Sequence, residues 1–392
     1  MKRIVLLGST GSIGQNVLDV IGRHPEEFQL VGLAARRNVA TLRTQCAAHP
    51  DARIVVTDSA AQDELRKDAG LARRSVGSGA ASLSDLIRES RPDLVVNALV
   101  GIAGLEPTID ALGSGIPVAI ANKEAIVTGG EILLGVARQT GAKLIPIDSE
   151  HVAIAQCMRG ERGDDIAEVI LTASGGALRD HPLDGLDAVG VEEVLKHPTW
   201  RMGAKITVDS ATLVNKGLEV IEGHWLFGLS YDKIDVIIHP QSIVHSLVRF
   251  VDGSIIAQLG EPDMRLPILY ALSYPRRVPS SIQHDVADFP SMTFSRVEAE
   301  RYPCFDLVMS AARAGGNAPT VLNAANEVAV SAFLGGRMGF AGIRDVIDAA
   351  LGAIEPGPVQ ELSDIYETDA QTRRWLAEHY PAVCTTPDTM ST

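Results

Sequence analysis

The 392-residue sequence predicts an α/β protein in three parts: an N-terminal doubly wound parallel sheet, a central α+β domain with its own sheet, and a C-terminal helical domain. Three observations carry this. Residues 3–147 alternate short apolar runs with stretches of helical composition, the pattern of a parallel sheet covered on both faces. From about 150 to 275 the apolar runs regroup around Asp252-Gly253, a hairpin signal between two such segments. Beyond a Pro- and Ser-rich stretch at 275–303, Ala-rich helical patterns take over. The expected divisions are 1–148, 149–274, a linker over 275–303, and 304–392.

Taken in order, RIVLLG (3–8) reads as the first strand, QNVLDVIGRHP as the helix behind it and FQLVGLAA (28–35) as the second strand. ARIVVT, DLVVNALV, IPVAIAN and AKLIPID supply further strands of the first sheet. EVILTA reads as a strand, 210–228 as mostly helix, and DVIIH and VHSLVRFVDGSIIAQL as strands of the second sheet. PTVLNAANEVAVSAFLGG has Pro319 at a helix start and Gly335 at its stop. The final VCTTPDTMST reads as a disordered tail.

The charge balance, 35 basic against 49 acidic residues for a net −14, disfavours nucleic acid and anionic membranes as partners. A phosphorylated ligand would need local positive charge or backbone donors. The four cysteines form no C-x-x-C pair, which argues against a zinc knuckle or a disulfide framework and for a reduced, cytoplasmic setting. Four apolar residues before Gly8 are too few for a signal peptide, and no run reaches the roughly 20 apolar residues of a membrane span.

The first strand runs into Gly8, Gly11 and Gly14, spaced G-x-x-G-x-x-G where the dinucleotide fingerprint reads G-x-G-x-x-G. Strand, turn and helix in this order suit a Rossmann-like phosphate site, with Gly11, Ser12 and Ile13 presenting backbone N–H groups at a helix N-terminus. The plainer reading is a structural βα turn. The second strand ends in Arg36, Arg37 and Asn38 with no acid, which suits the 2′-phosphate of NADP or else a solvated basic loop.

LIPIDSEH closes the last strand of the first sheet, where open α/β sheets bind ligands. On an extended backbone Asp148 and Glu150 would point the same way, and Glu219 could add a third carboxylate. Oxygen-only ligands select Mg²⁺ or Mn²⁺; the alternative is ordinary surface or capping acids. TASGG offers Ser174. DSATLVNK would place Asp209 or Ser210 as a helix cap, with Asn215 and Lys216 a turn or two on, a phosphate site or a plain capped helix. HPTWRMG (197–203) has the make-up of a water-excluding lid, and ANKEAIV ends another strand on the ligand side.

These strings, GSTGSIG, ANKE, PIDSEH, TASGG, HPTWRMG, KITVDSATLVNKGLEVIEGHWLF, HPQSIVHSLV and PDMRLPI, occur in order over most of the chain. In them the chain resembles the 1-deoxy-D-xylulose 5-phosphate reductoisomerase family of the non-mevalonate isoprenoid pathway. The resemblance implies one divalent cation (Mg²⁺, Mn²⁺ or Co²⁺) on Asp148, Glu150 and Glu219. It implies Ser174, Ser210, Asn215 and Lys216 at the substrate phosphate, and Lys123, Ser149 and His197 on the rest of the substrate beside Glu150 and Glu219. Trp200 and Met202 would lie in the lid. NADPH would meet Thr10, Gly11, Ser12, Ile13, Arg37, Asn38, Asn122, Glu124 and Gly203, with Arg36 added by the residues themselves. Lys123, His197 and the three carboxylates are the implied catalytic set.

The implied reaction is a metal-assisted skeletal rearrangement followed by NADPH reduction to 2-C-methyl-D-erythritol 4-phosphate, in a homodimer paired through the central domain. The lid departs from the family pattern at Thr199 and Arg201, where Asn and Ser are usual. His239 and His245 fall outside the implied metal set and read as strand residues at a sheet or subunit contact. A metal-free NADP dehydrogenase of a phosphorylated aldehyde or alcohol, and an NADP-sensing regulator, are the rival readings.

Overall fold

Seven short strands, β1 (Lys2–Leu7), β2 (Phe28–Ala35), β3 (Arg53–Val56), β4 (Ser75–Ser78), β5 (Leu94–Asn97), β6 (Val118–Ile120) and β7 (Leu144–Pro146), form the first sheet of the computed structural model, which describes residues 1–384. Every pairing is parallel and the order is β4-β3-β2-β1-β5-β6-β7. The order reverses between β1 and β5, so the crevice where such sheets take ligands opens at the carboxyl ends of those two strands. Ile4, Leu6, Leu33 and Ile54 pack under helix Ser12–Arg23 on one face, while Val5, Leu7, Val95 and Ile120 pack on the other. The sequence did not reveal β4. Its four residues, SVGS, include one apolar side chain on a partly exposed edge, so no apolar run marks it.

The second sheet is mixed: β8 (Ile166–Ala173), β9 (Ile234–Ile238), β10 (Val244–Phe250), β11 (Ile255–Leu259) and β12 (Ser295–Arg296), in the order β11-β10-β8-β9-β12. β8 and β9 run parallel, while Asp252 and Gly253 turn β10 into antiparallel β11. The Pro- and Ser-rich 275–303 segment does more than connect, because β12 within it adds an edge strand to β9. Helix Arg265–Ser273 packs Ile268 and Leu272 into the core of the first sheet. The C-terminal helices, led by Pro303–Ala314 and Ala318–Leu334, share one core with Val208, Val214 and Leu218 of the central region. Of the tail read as disordered, Val383 and Cys384 belong to a last helical turn; 385–392 lie outside the described residues. No described helix is long and apolar enough to cross a membrane.

Candidate active site

The glycine turn after β1 is held by steric constraint at its two ends. Gly8 has φ +85°, and a Cβ there would meet the Ala98 carbonyl oxygen at 2.4 Å, across the switch between β1 and β5. A Cβ on Gly14 would stand 2.2 Å from the Gly8 carbonyl oxygen. Ser9 is buried and locked to Gln45, its Oγ donating to Oε1 at 2.7 Å and its carbonyl accepting from Nε2 at 2.8 Å. At Gly11 the nearest atom to an added Cβ is 3.6 Å away, so this glycine is not demanded by packing. One expectation needs correcting: the Gly11 amide turns back onto the Gly8 carbonyl oxygen (3.3 Å). Of the three amides expected to face a phosphate, those of Ser12 and Ile13 remain at the start of helix Ser12–Arg23, which has no side-chain cap.

At the end of β2, Arg36 is exposed and Arg37 donates Nε to Asp58 Oδ2 at 2.7 Å. That hydrogen bond, helped by the amide of Ala61, holds the Asp58 carboxyl below its usual range. Asn38 spends its side chain as cap of helix Val39–Ala48, accepting from the Thr41 amide. Asn122 is similarly engaged at the start of helix Lys123–Thr140. Its Oδ1 accepts from the Ala125 amide, and its Nδ2 donates to the carbonyls of Leu99 and Gly101 in the turn after β5.

The carboxylate cluster sits where β7 gives way to helix Ser149–Cys157. The extended geometry expected of Asp148 and Glu150 is not what brings them together. Asp148 is the residue before the helix (φ −53°, ψ 133°) and Glu150 lies in its first turn, so a strand-to-helix corner aligns them. Glu219 comes from helix Val214–Phe227, and one ligand oxygen from each of the three lies within 4.8 Å of the others. An all-oxygen set of this spacing fits a hard divalent cation.

Two buried lysines sit on these oxygens. Lys123 Nζ is 2.6 Å from Asp148 Oδ2, 3.1 Å from Glu219 Oε1 and 2.7 Å from Asn215 Oδ1. Lys216 Nζ donates to Glu150 Oε1 at 2.8 Å and to Glu219 Oε2. Asn215 Nδ2 donates to Glu219 Oε1 at 2.6 Å. Burial pushes the Glu150 carboxyl up, but the charge and hydrogen bond of Lys216 outweigh it and bring it down to about 2. Glu219 goes the other way, raised by burial and by the nearby Glu150 charge. Burial disfavours both ammonium ions, yet the surrounding carboxylates hold Lys123 and Lys216 above the ordinary lysine value.

Behind this cluster lie two residues that sequence reasoning missed. His151 donates Nε2–H to the Glu219 carbonyl oxygen at 2.9 Å, and its Nδ1 faces Glu222 Oε2 at 3.5 Å, both side chains fully buried. Burial, and then the Asp148 charge, raise the Glu222 carboxyl well above its usual range, and burial lowers His151 to about 4. The available signal was the spacing in GLEVIEG, which puts Glu219 and Glu222 one turn apart on the same helix.

The DSATLVNK reading also needs correcting. Asp209 and Ser210 lie in the last turn of helix Ala204–Ala211, Leu213 takes φ 56°, and a new helix starts at Val214. Asp209 does not cap, because it is paired with Lys205 one turn earlier (2.8 Å) and with Asn326 Nδ2 (2.9 Å). Lys205 also reaches Glu124 Oε1 at 3.1 Å. Asn215 and Lys216 do fall in the first turn of the new helix, as donors at an N-terminus should.

The segment His197–Gly203 carries no helix or strand. His197 Nδ1 accepts the amides of Thr199 (3.2 Å) and Trp200 (2.9 Å), so Nε2 holds the proton and donates to Ser174 Oγ at 2.9 Å. Burial first, then Arg179, lower His197 to about 4, so it is neutral at physiological pH. Between its ordinary 6.5 and about 4 the unfolded chain takes up a proton that the folded chain refuses, so stability falls as pH drops through that window. Thermal midpoints should fall between about pH 7 and about pH 5, and less steeply in His197→Asn. Equal slopes in the two proteins would exclude His197 as a source.

One cavity joins these parts. It is lined by Ser12 and Ile13 from the glycine turn, by Lys123, Asp148, Ser149, Glu150, Asn215, Lys216 and Glu219, by Ser174, His197 and Ser210, and by Trp200, Met202 and Gly203 of the lid segment. Thr10, Gly11, Arg36, Arg37, Asn38, Asn122 and Glu124 do not line it. Arg201, Ser242 and His245 do, without having been singled out for it. His245 is a β10 residue as expected, yet it faces the cavity with its ring 6.0 Å from that of Trp200. His239 is structural: Nε2 accepts the amides of Ile243 and Val244, and Nδ1 donates to the Thr293 carbonyl.

Residues 4–130 match the family described as 1-deoxy-D-xylulose 5-phosphate reductoisomerase, 144–227 its C-terminal domain, and 259–375 the DXP reductoisomerase C-terminal domain. The chain is 48% identical over 379 residues to the 1-deoxy-D-xylulose 5-phosphate reductoisomerase of Geobacillus sp. (strain WCH70), covering 96% of this chain and 99% of that one. Among solved structures it is similar to the Zymomonas mobilis enzyme of that name in complex with NADPH, with TM-score 0.88, 37% identity, and 96% and 98% of the two chains covered. It is also similar to a DOX-P reductoisomerase in complex with NADPH, fosmidomycin and magnesium, with TM-score 0.90, 35% identity, and 98% of each chain covered.

Proposed function

Because the chain belongs to the 1-deoxy-D-xylulose 5-phosphate reductoisomerase family, we infer that it converts 1-deoxy-D-xylulose 5-phosphate to 2-C-methyl-D-erythritol 4-phosphate, by skeletal rearrangement and then reduction. It is an NADPH- and divalent-metal-dependent enzyme of isoprenoid precursor synthesis. The observation that carries this reading is the single cavity that joins a three-carboxylate cluster, a set of phosphate donors and the N-terminus of the helix after the glycine turn.

The cation supplies, when bound, a Lewis acid for the substrate's carbonyl and hydroxyl oxygens, and NADPH supplies the hydride. Asp148, Glu150 and Glu219 would hold that cation. Lys216, Asn215, Ser210 and Ser174 bind the phosphate group, whose remoteness from the reacting carbons makes its binding energy usable for orientation. Neutral His197 contacts the rest of the substrate while its one N–H, at Nε2, stays on Ser174 Oγ, and Lys123 and Ser149 orient the oxygens near the acids. Trp200 and Met202 exclude water while the intermediate exists. The amides of Ser12 and Ile13 hold the cofactor's diphosphate.

The test is NADPH oxidation with 1-deoxy-D-xylulose 5-phosphate, with and without Mg²⁺. Metal-dependent oxidation yielding the branched polyol phosphate is expected. Undiminished oxidation without a divalent cation would favour a simple dehydrogenase instead.

For cofactor choice, Arg36 and Arg37 read the 2′-phosphate, with Asp58 bracing the second guanidinium. A charge-assisted hydrogen bond contributes about 1.5–3 kcal/mol, so replacing both arginines by Gln should cut the NADPH-over-NADH preference about ten- to a hundredfold. An unchanged ratio of kcat/KM values would refute the role.

The enzyme acts as a homodimer paired through the central sheet. Supporting this, edge strand β11 exposes Ile255, Ile256 and Leu259, with Val251 in the adjoining turn. Ile256→Lys should halve the mass measured by light scattering; a wild-type monomer would sink the idea. A cytoplasmic setting is in keeping with four free cysteines among the described residues.

A further inference from the structure

We propose that cation binding and phosphate binding are coupled through Glu219, because the hydrogen bonds that hold two of the phosphate donors are made to the oxygens that would ligate the cation. The inference rests on the reading of Asp148, Glu150 and Glu219 as the cation's ligands. Asn215 Nδ2 stands 2.6 Å from Glu219 Oε1, and Lys216 Nζ bridges Glu219 Oε2 and Glu150 Oε1. Both donors lie in the first turn of helix Val214–Phe227, one turn before Glu219 itself, so the helix carries phosphate donors and a cation ligand bonded to one another.

A dication on Glu150 and Glu219 places like charge against the Lys216 ammonium at oxygens that the two would share, in a buried site where screening is weak. Lys216 is the group that gives way. Lys123 keeps an acceptor outside the cation's ligand set, the neutral Asn215 Oδ1 at 2.7 Å, besides its contacts with Asp148 and Glu219. Among the described residues, the side-chain hydrogen bonds of Lys216 go only to Glu150 and Glu219, both within that ligand set. Once released, its ammonium and the Asn215 amide become available to an anion at the same helix start. The converse follows by linkage: a phosphate that draws Lys216 away uncovers the oxygens of Glu150 and Glu219, so each ligand tightens the other by the same factor. The lysine therefore occupies the carboxylates until cation and phosphate divide the pair between them.

Calorimetry on the full chain, with Mg²⁺ and inorganic phosphate as the probes and no turnover involved, decides the matter. In the wild type, phosphate should tighten Mg²⁺ about tenfold, and Mg²⁺ should tighten phosphate equally. In Lys216→Met, Mg²⁺ should bind tighter than in the wild type without phosphate, and the added effect of phosphate should disappear. Equal Mg²⁺ affinity with and without phosphate in the wild type would overturn the coupling, and that arm needs no variant to fold. A phosphate effect that persists in Lys216→Met would also overturn it, since the two ions would then be in direct contact. Failure of the wild type to bind Mg²⁺ at all would instead overturn the assignment of the carboxylates.

Discussion

Glu219→Gln should retain NADPH affinity and lose at least about a thousandfold in metal-dependent turnover. The substitution keeps the shape of a side chain that is 2% exposed, so cavity effects are small. It removes the charge from one of the three proposed cation ligands and turns one of the two oxygens shared by Lys123, Lys216 and Asn215 into a donor. Lewis-acid stabilisation contributes several kcal/mol, and about 1.36 kcal/mol is tenfold in rate, which sets the scale of the loss. The amides proposed to hold the cofactor, those of Ser12 and Ile13, stand on a different element, so cofactor affinity is the control. Steady-state rates with Mg²⁺ and NADPH fluorescence titrations measure the two quantities. More than a tenth of wild-type turnover would remove Glu219 from the cation set. A lowered thermal midpoint is expected beside the kinetic effect, because two buried ammonium ions lose a counter-charge.

The second large effect belongs to the glycine turn. Gly14→Ala should cost about 1–3 kcal/mol of stability and weaken NADPH at least about tenfold. The added methyl meets backbone, with the Gly8 carbonyl oxygen at 2.2 Å and the Ser9 carbonyl carbon at 2.7 Å. The turn cannot retreat, because Ser9 is locked to Gln45 by two buried hydrogen bonds. Gly11→Ala is the contrast: with its nearest neighbour at 3.6 Å, it should leave the thermal midpoint unchanged and report on the cofactor alone. A Gly14→Ala protein with wild-type midpoint and NADPH affinity would show that the unusual spacing is not sterically fixed.

The parts of the fold readable in advance were those with strong local signatures. Six of the seven parallel strands carry apolar runs, whereas β4 is a short edge strand with only Val76 to mark it. The carboxylate set was legible as residue types, but not the corner that aligns it. Asp148 and Glu150 could be paired by assuming a strand, and the same sequence spacing serves a helix entry equally well. The misplaced helix start at Asp209 has a tertiary cause: Asp209 answers to Lys205 and to Asn326, the latter 117 residues away, and no local rule shows that partner. His151, Glu222 and Lys205 were passed over for the same reason. Each is an ordinary helix residue until the fold brings an imidazole, a carboxylate or a carbonyl from another element against it.

The segment read as a lid is tethered at both ends: upstream by His197 on Ser174, downstream by Lys205 between Glu124 and Asp209. Eight positions separate the tethers. Since an extended residue spans at most about 3.6 Å, Trp200, three positions from His197, cannot stray more than roughly 11 Å from it. On the reading of this segment as a lid, its closure is a short-stroke motion of Trp200 at the cavity that the carboxylates also line. A ligand too long to be covered within that reach would keep the cavity wet, so the length of these tethers sets a ruler for the substrates the enzyme can enclose.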